Sequence, residues 1–358
     1  MQLATVAEGR DNNFNLIRML AAWAVLVSHA YPIALGPGTP QPLKDATGYT
    51  LGTLAVFVFF AISGFLIAAS FERARSHTDF LLARVLRLYP GLFVSLLLAA
   101  FVLGPAMTTL PVTDYLTGTD PYLFMLKNLA LVLPDYTLDG VFTDNPFPSV
   151  EGSIWTLFYE VACYIGVFVL GIAGLLGNVR TMALLFGVYL AGWIALDLAG
   201  DPIHPKLAAL RELSLPFAIG TALYIWRHQI RLSVGILLAA CAVTLALKYS
   251  VGPGPLYDIA FVLTLSYATF WLAYVPGGVI RQYNRLGDYS YGLYIYAFPL
   301  QGLVVALLPG SDVLTNILLA TPLTLFFSVL SWHLIEAPAL AQRKPLAQKL
   351  RRTRPETL

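Results

Sequence analysis

NLIRMLAAWAVLVSHA, residues 15–30, is a mostly apolar stretch with just two ionisable side chains, Arg18 and His29, set eleven positions apart. On an α-helix, eleven steps make three turns plus about 20°, so both side chains leave the same face, separated by about 16 Å along the axis. A helix this apolar suits a bilayer, where an ionisable group is expensive and normally faces a cavity or a pathway. The stretch therefore reads as a membrane helix carrying a candidate functional pair on one face.

The rest of the chain repeats that character. Of 358 residues, 58% are hydrophobic and 12% charged, against roughly 45–50% and about 25% in soluble domains. Apolar runs fall at about 14–34, 51–70, 88–105, 152–176, 181–199, 207–225, 232–248, 256–275, 289–308 and 313–335. Most approach the ~20 residues that cross a bilayer core, so the expected fold is an all-α polytopic bundle of about ten transmembrane helices. Residues 122–133 are apolar but too short to span, and suit a re-entrant or interfacial segment. The expected organisation is a single transmembrane domain over 1–340, including an outer loop at about 106–151, followed by a basic tail, 341–358.

Orientation follows from Lys and Arg. With the N-terminus inside, inner stretches hold Arg10, Arg73, Arg75, Arg84, Arg87, Arg180, Arg227, Arg231, Arg281 and Arg285, plus six basic residues of the tail. Outer stretches hold only Lys44, Lys127, Lys206 and Lys248, with Arg211 just inside a helix. Positive charge accumulates on the cytoplasmic side, so both termini are expected there. The outer loop then carries Asp114, Asp120, Asp135, Asp139, Asp144 and Glu151 against Lys127, which argues against capture of a polyanion. The tail fits a stop-transfer cluster better than a lipid-binding device.

Several classes of chemistry are unsupported. Cys163 and Cys241 show no CxxC or Cys/His spacing, and the five histidines lie on different segments, so no metal site is expected. No P-loop or dinucleotide fingerprint occurs, which disfavours an ATPase or a dehydrogenase.

Four further patterns stand out. FVFFAISGFLI, 57–67, sets Ser63 and Gly64 among bulky residues, as close helix packing requires. RVLR, 84–87, places Arg84 and Arg87 on one face as a fork suited to phosphates; topology signalling explains them equally well. SIWTLFYE, 153–160, carries Glu160 about 10 Å into a helix from the outer side, at a depth like that of His29. A carboxylate beside an imidazole orients it and raises its basicity, as in a general base. The plainer reading pairs Glu160 with a lone cation such as Arg211. GDYSYGLYIYAF, 287–298, is tyrosine-rich, in keeping with an interfacial aromatic belt or a sugar-binding groove.

Taken in order, NLIR with His29, FFAISGFL, RVLR with Pro90, SIWTLFYE, GDYSYGLY and HLIEAP (333–338) resemble the family-3 membrane acyltransferases, from Asn15 to about Pro338. The resemblance implies transfer of an acyl group, usually acetyl, from cytoplasmic acyl-CoA to a hydroxyl of a bacterial cell-envelope polysaccharide or its lipid-linked precursor. The enzyme would sit in the bacterial inner membrane. On that resemblance His29 and Glu160 are catalytic, Arg18 contacts the donor or gates its path, and Arg84 with Arg87 forms the donor's phosphate fork; Trp155, Tyr159, Tyr291 and Tyr294 are the candidates to bind the acceptor. Acyl-CoA, a hydroxylated acceptor and the bilayer are the expected partners, and nucleic acid is not. Two departures matter. Ala297 stands where many members carry histidine, and no esterase-like domain follows the tail, so direct delivery to the acceptor is expected. The alternatives are a transporter or flippase using Arg18, His29 and Glu160 as a proton relay, and a sensor that kept the fold.

Overall fold

A computed structural model describes residues 1–9, 11–200 and 204–352. Arg10 and the last basic residue of the tail, Arg354, lie outside the described residues.

Every apolar run expected to be helical is helical. We label the helices α1 (Phe14–Leu35), α2 (Leu51–Glu72), α3 (His77–Leu98), α4 (Asp120–Ala130), α5 (Trp155–Ile172), α6 (Val179–Leu198), α7 (Pro205–Ile225), α8 (Val234–Ser250), α9 (Pro255–Tyr274), α10 (Ser290–Leu307), α11 (Val313–Ser331) and α12 (Arg343–Arg352). Among the described residues, eight helices are long and apolar enough to cross a membrane. The eight leave out two of the ten expected spans: α7, which carries Lys206, Arg211 and Glu212, and α8, an apolar helix of 17 residues. Helix α4 has 11 residues, as the short apolar segment demanded. Helix α3 begins well before the apolar run expected at residue 88. Its N-cap Ser76 accepts a hydrogen bond from the Asp79 amide at 3.2 Å, which satisfies a backbone donor of the first turn. Arg84 and Arg87 are therefore carried inside a helix.

The chain divides into two compact units, each drawn from three stretches of sequence. The first comprises residues 1–21, 53–73 and 159–287; the second comprises 22–52, 74–158 and 288–358.

The first unit is built where α2 meets α7. A Cβ on Gly64 would stand 2.0 Å from the carbonyl oxygen of Phe217, and one on Gly220 2.0 Å from that of Ala61. Only glycine permits this backbone approach, as the ISG pattern of α2 anticipated. Around it Phe14, Phe65 and Phe270 form an aromatic cluster with ring centroids 4.7 to 6.4 Å apart. Asn13 ties the start of α1 to the end of α9, donating to the carbonyls of Leu272 and Pro276 at 2.9 Å. Helices α6 and α8 expose Leu184, Val188 and Leu238, the surface expected toward lipid.

The second unit is organised around α10, whose residues 290–302 are all buried. Helix α11 crosses it closely at Gly292, where a Cβ would lie 2.8 Å from the Ser328 Cα. The outer loop also packs on α10: Phe142, at φ 57°, lies against Gly302, and the Asn145 amide donates to the Gly302 carbonyl at 2.9 Å. Helices α3 and α11 each run into a π-helical turn, Ala99–Leu103 and Trp332–Glu336. In the first, the Tyr115 hydroxyl donates to the Ala100 carbonyl at 2.8 Å, supplying a partner where the α-helical ladder is interrupted.

Candidate functional site

Arg18 and His29 share α1, a helix continuous from Phe14 to Leu35. The first unit holds Arg18, with its guanidinium 5.9 Å from the Phe59 ring centroid. It also holds Glu160, whose carboxylate accepts from the hydroxyls of Ser63, at 3.2 Å, and Tyr164. Arg211 is engaged elsewhere, 2.6 Å from Asp197 and stacked on Trp193, so the plainer pairing of Glu160 with Arg211 does not occur. Tyr159 is buried in the same unit.

In the second unit, the His29 ring meets Phe298 edge-on, with centroids 5.5 Å apart. Its Nδ1 is shut off from solvent without a hydrogen-bond partner. Phe298 also packs against Phe147 and fills the space above Gly152, where a Cβ would lie 2.2 Å from its ring. Behind His29, the Gln301 amide donates to the Leu26 carbonyl and to Asn316, both at 2.9 Å. This fixes the carbonyl three residues before His29 on α1, so the histidine sits on a braced segment.

The segment that leads into α5 lies beside Phe298. Its backbone is clamped: the amides of Val150 and Glu151 donate to the Tyr136 carbonyl, and the Tyr294 hydroxyl donates to the Ser153 carbonyl at 2.7 Å. Tyr294 also pairs with Thr156 at 2.6 Å. Glu151, counted from sequence among the charges of an acidic loop, is wholly buried, with no side-chain partner for its carboxylate among the described residues. Burial pushes its carboxyl up to about 8, against a weaker opposite pull from the amides of Gly152 and Ser153. The sequence offered one signal for this residue, its place between Val150 and Gly152 just before the SIWT motif.

The two arginines of RVLR stand in the same unit but in different settings. Arg84 lies 6.0 Å from the Phe80 ring centroid. Arg87 is 2.6 Å from Asp288 and 3.5 Å from Glu336, with Tyr291 beneath its guanidinium. Asp288 also accepts from the Ser290 hydroxyl, and Glu336 from the Ser331 hydroxyl at 2.9 Å. Spacing could not reveal these partners, which lie 201 and 249 positions from Arg87. Tyr291 donates its hydroxyl to the Leu88 carbonyl, so its visible contacts brace α10 against α3. Trp155 is partly buried at the start of α5. Among the described residues, no group of three or more His, Cys, Asp and Glu could hold a metal ion.

These local arrangements can be set beside known proteins. An acyltransferase domain model matches residues 11–333, and so covers most of both units. An O-acetyl transferase of Shigella phage Sf6 is 30% identical over 350 residues, covering 94% of this chain and 98% of the relative. Nodulation protein 10 of Rhizobium leguminosarum bv. viciae is 28% identical over 366 residues, covering 96% and 97% respectively. No solved structure matches. With the motif order, the helical architecture and a family match over nearly its whole length, this chain belongs to the membrane acyltransferase family and is an acyltransferase.

Proposed function

We propose that the chain is an integral O-acyltransferase of the bacterial cytoplasmic membrane, with both termini cytoplasmic. It moves an acetyl group from acetyl-CoA, or a related acyl-CoA, to a hydroxyl of an envelope polysaccharide or its lipid-linked precursor. The observation that carries this reading is His29: a braced imidazole on a membrane helix, with Nδ1 unpartnered and Arg18 on the same helix.

The chemistry follows from those groups. The neutral His29 imidazole takes the proton of the acceptor hydroxyl as that oxygen attacks the thioester carbonyl. The new C–O ester bond forms and the C–S bond breaks. The imidazolium then returns its proton to the departing CoA thiolate, so protons and electrons balance. A transient acyl-imidazole would divide the same transfer into two steps. Arg18, about 16 Å from His29 along α1, is placed on the donor side, a separation comparable to an extended pantetheine arm. Glu160 is assigned the second acid–base role, its carboxylate held by Ser63 and Tyr164. Arg84 is assigned to the donor and Trp155, Tyr159 and Tyr294 to the acceptor, whereas Arg87 and Tyr291, engaged with Asp288, Glu336 and the Leu88 carbonyl, are assigned to holding α10 against α3. The excess of Lys and Arg on one side of the chain supports the orientation.

The test uses membranes containing wild type or His29→Ala, acetyl-CoA labelled in its acetyl group and an envelope glycan extract. Base-labile label should appear on carbohydrate with wild type. Losing a general base should lower it by about 10²–10⁴-fold. Equal labelling with the variant would remove His29 from the mechanism; no labelling from any acyl-CoA would overturn the reading.

A further inference from the structure

Two clefts open side by side in the first unit, where α2 and α7 end. One, of about 250 Å³, is walled by Phe14, Phe65 and Tyr274 and rimmed by Arg73, Arg227 and His228. The other, of about 490 Å³, shares Tyr224, Arg227 and His228 with it. The rim cations differ in how they are engaged. Arg227 is 3.3 Å from Glu72 and stacks on Tyr224 at 4.1 Å. Arg73 commits only its Nε, to the Ala69 carbonyl at 3.0 Å. Its two terminal nitrogens, and the ring of His228, have no partner among the described residues. Arg73 lines the smaller cleft together with Tyr224 and Tyr274. Among the described residues, Glu8 is the one carboxylate lining the smaller cleft.

A guanidinium fork with unused donors selects phosphate, and an aromatic wall beside it selects a flat ring over a bare anion. Arg87, by contrast, already faces two carboxylates, which a phosphate would have to meet. We propose that the cleft of the first unit binds the phosphoadenosine end of the donor, Arg73 and His228 taking the 3′-phosphate and the aromatic wall the adenine. This rests on the acyl-CoA reading above and adds to it the residues that select a phosphorylated nucleotide handle.

The test is binding to the full chain in nanodiscs of zwitterionic lipid, with CoA, dephospho-CoA and inorganic phosphate as probes. Wild type should bind CoA about tenfold more tightly than dephospho-CoA, the value of one charge-assisted contact. Arg73→Gln should erase that difference, and Arg75→Gln, outside the cleft lining, should keep it. The proposal is overturned if Arg73→Gln discriminates as wild type does, if wild type does not discriminate, or if inorganic phosphate competes as well as CoA. It is also overturned if phosphatidylglycerol added to the disc displaces CoA from wild type but not from Arg73→Gln, which would make the cleft a lipid-headgroup site. A wild type that discriminates between the nucleotides yet transfers no acetyl group would leave the cleft standing and sink the transfer reading alone.

Discussion

Two polar clusters of the second unit are built on opposite terms. Around Arg87 every charge is answered: Asp288 and Glu336 flank the guanidinium, Ser290 and Ser331 hold the carboxylates, and Tyr291 lies beneath. Around Phe298 the polar atoms are left more open: among the described residues His29 Nδ1 and the Ser153 hydroxyl are buried without partners, and the Glu151 carboxylate meets only the backbone amides of Gly152 and Ser153. Buried polar groups are nearly always hydrogen-bonded, and the exceptions concentrate where chemistry or ligands use them. The first cluster is suited to holding helices in place, the second to meeting something that comes and goes.

The sharpest way to break this comparison is to delete the centre of the closed cluster. Arg87→Ala leaves two carboxylates facing each other with little solvent, and breaking a buried pair costs about 3–5 kcal/mol. Thermal unfolding of the detergent-purified variant should show a large drop in stability. His29→Ala should unfold close to wild type, because its Nδ1 gives up no bond. Glu336→Gln in the Arg87→Ala background should recover part of the loss by removing one of the stranded charges. Were Arg87→Ala as stable as wild type and altered only in KM for acyl-CoA, the side chain would be a phosphate ligand and its bracing role would be lost.

An effect of opposite sign, spread over several pH units, is expected in the open cluster. Burial raises the folded-state pKa of Glu151 from an ordinary 4.5 to about 8. Below about 4.5 the carboxyl is protonated whether the chain is folded or not, and it contributes no penalty. As pH rises toward 8 the unfolded chain releases a proton that the folded chain must keep, so stability falls by up to ~1.4 kcal/mol per pH unit. Glu151→Gln should therefore flatten the dependence of unfolding temperature on pH between 5 and 8, and be more stable than wild type at the upper end. An unchanged slope would show that Glu151 does not carry that proton.

The contrast between the clusters also explains how far the sequence could be read. Helices are local, and apolar runs of bilayer length located the long ones, although α3 began early because a serine cap and a polar first turn are invisible to hydropathy, and the basic helix α12 left no apolar signal at all. Gly64 showed close packing through its bulky neighbours, but not that Gly220 would meet the same interface. His29 and Arg18 were legible because one helix carries both, so their relation is a matter of phase. Arg87 was legible as a cation and illegible as a brace, since its carboxylates arrive from chain segments far away. Glu151 misled for a related reason: a carboxylate in a polar loop is normally solvated, and only the folding of that loop onto α10 buries it.

The smallest expected effect tests whether it is burial, and not pairing as such, that gives the Arg87 cluster its weight. Arg343, at the start of α12, meets Asp79 of α3 through two hydrogen bonds of 3.0 Å, a better geometry than the 3.5 Å contact of Arg87 with Glu336. Its side chain, however, is 35% exposed against 15% for Arg87. Water and salt reach the outer pair, so its net worth falls to about 0.2–1 kcal/mol, and a Debye length near 3 Å at 1 M salt removes most of that. Arg343→Gln should lower stability by no more than this in dilute buffer and match wild type at high salt. If it cost as much as Arg87→Ala, geometry would outrank burial, and the closed cluster would owe its strength to the number of its bonds and not to exclusion of solvent.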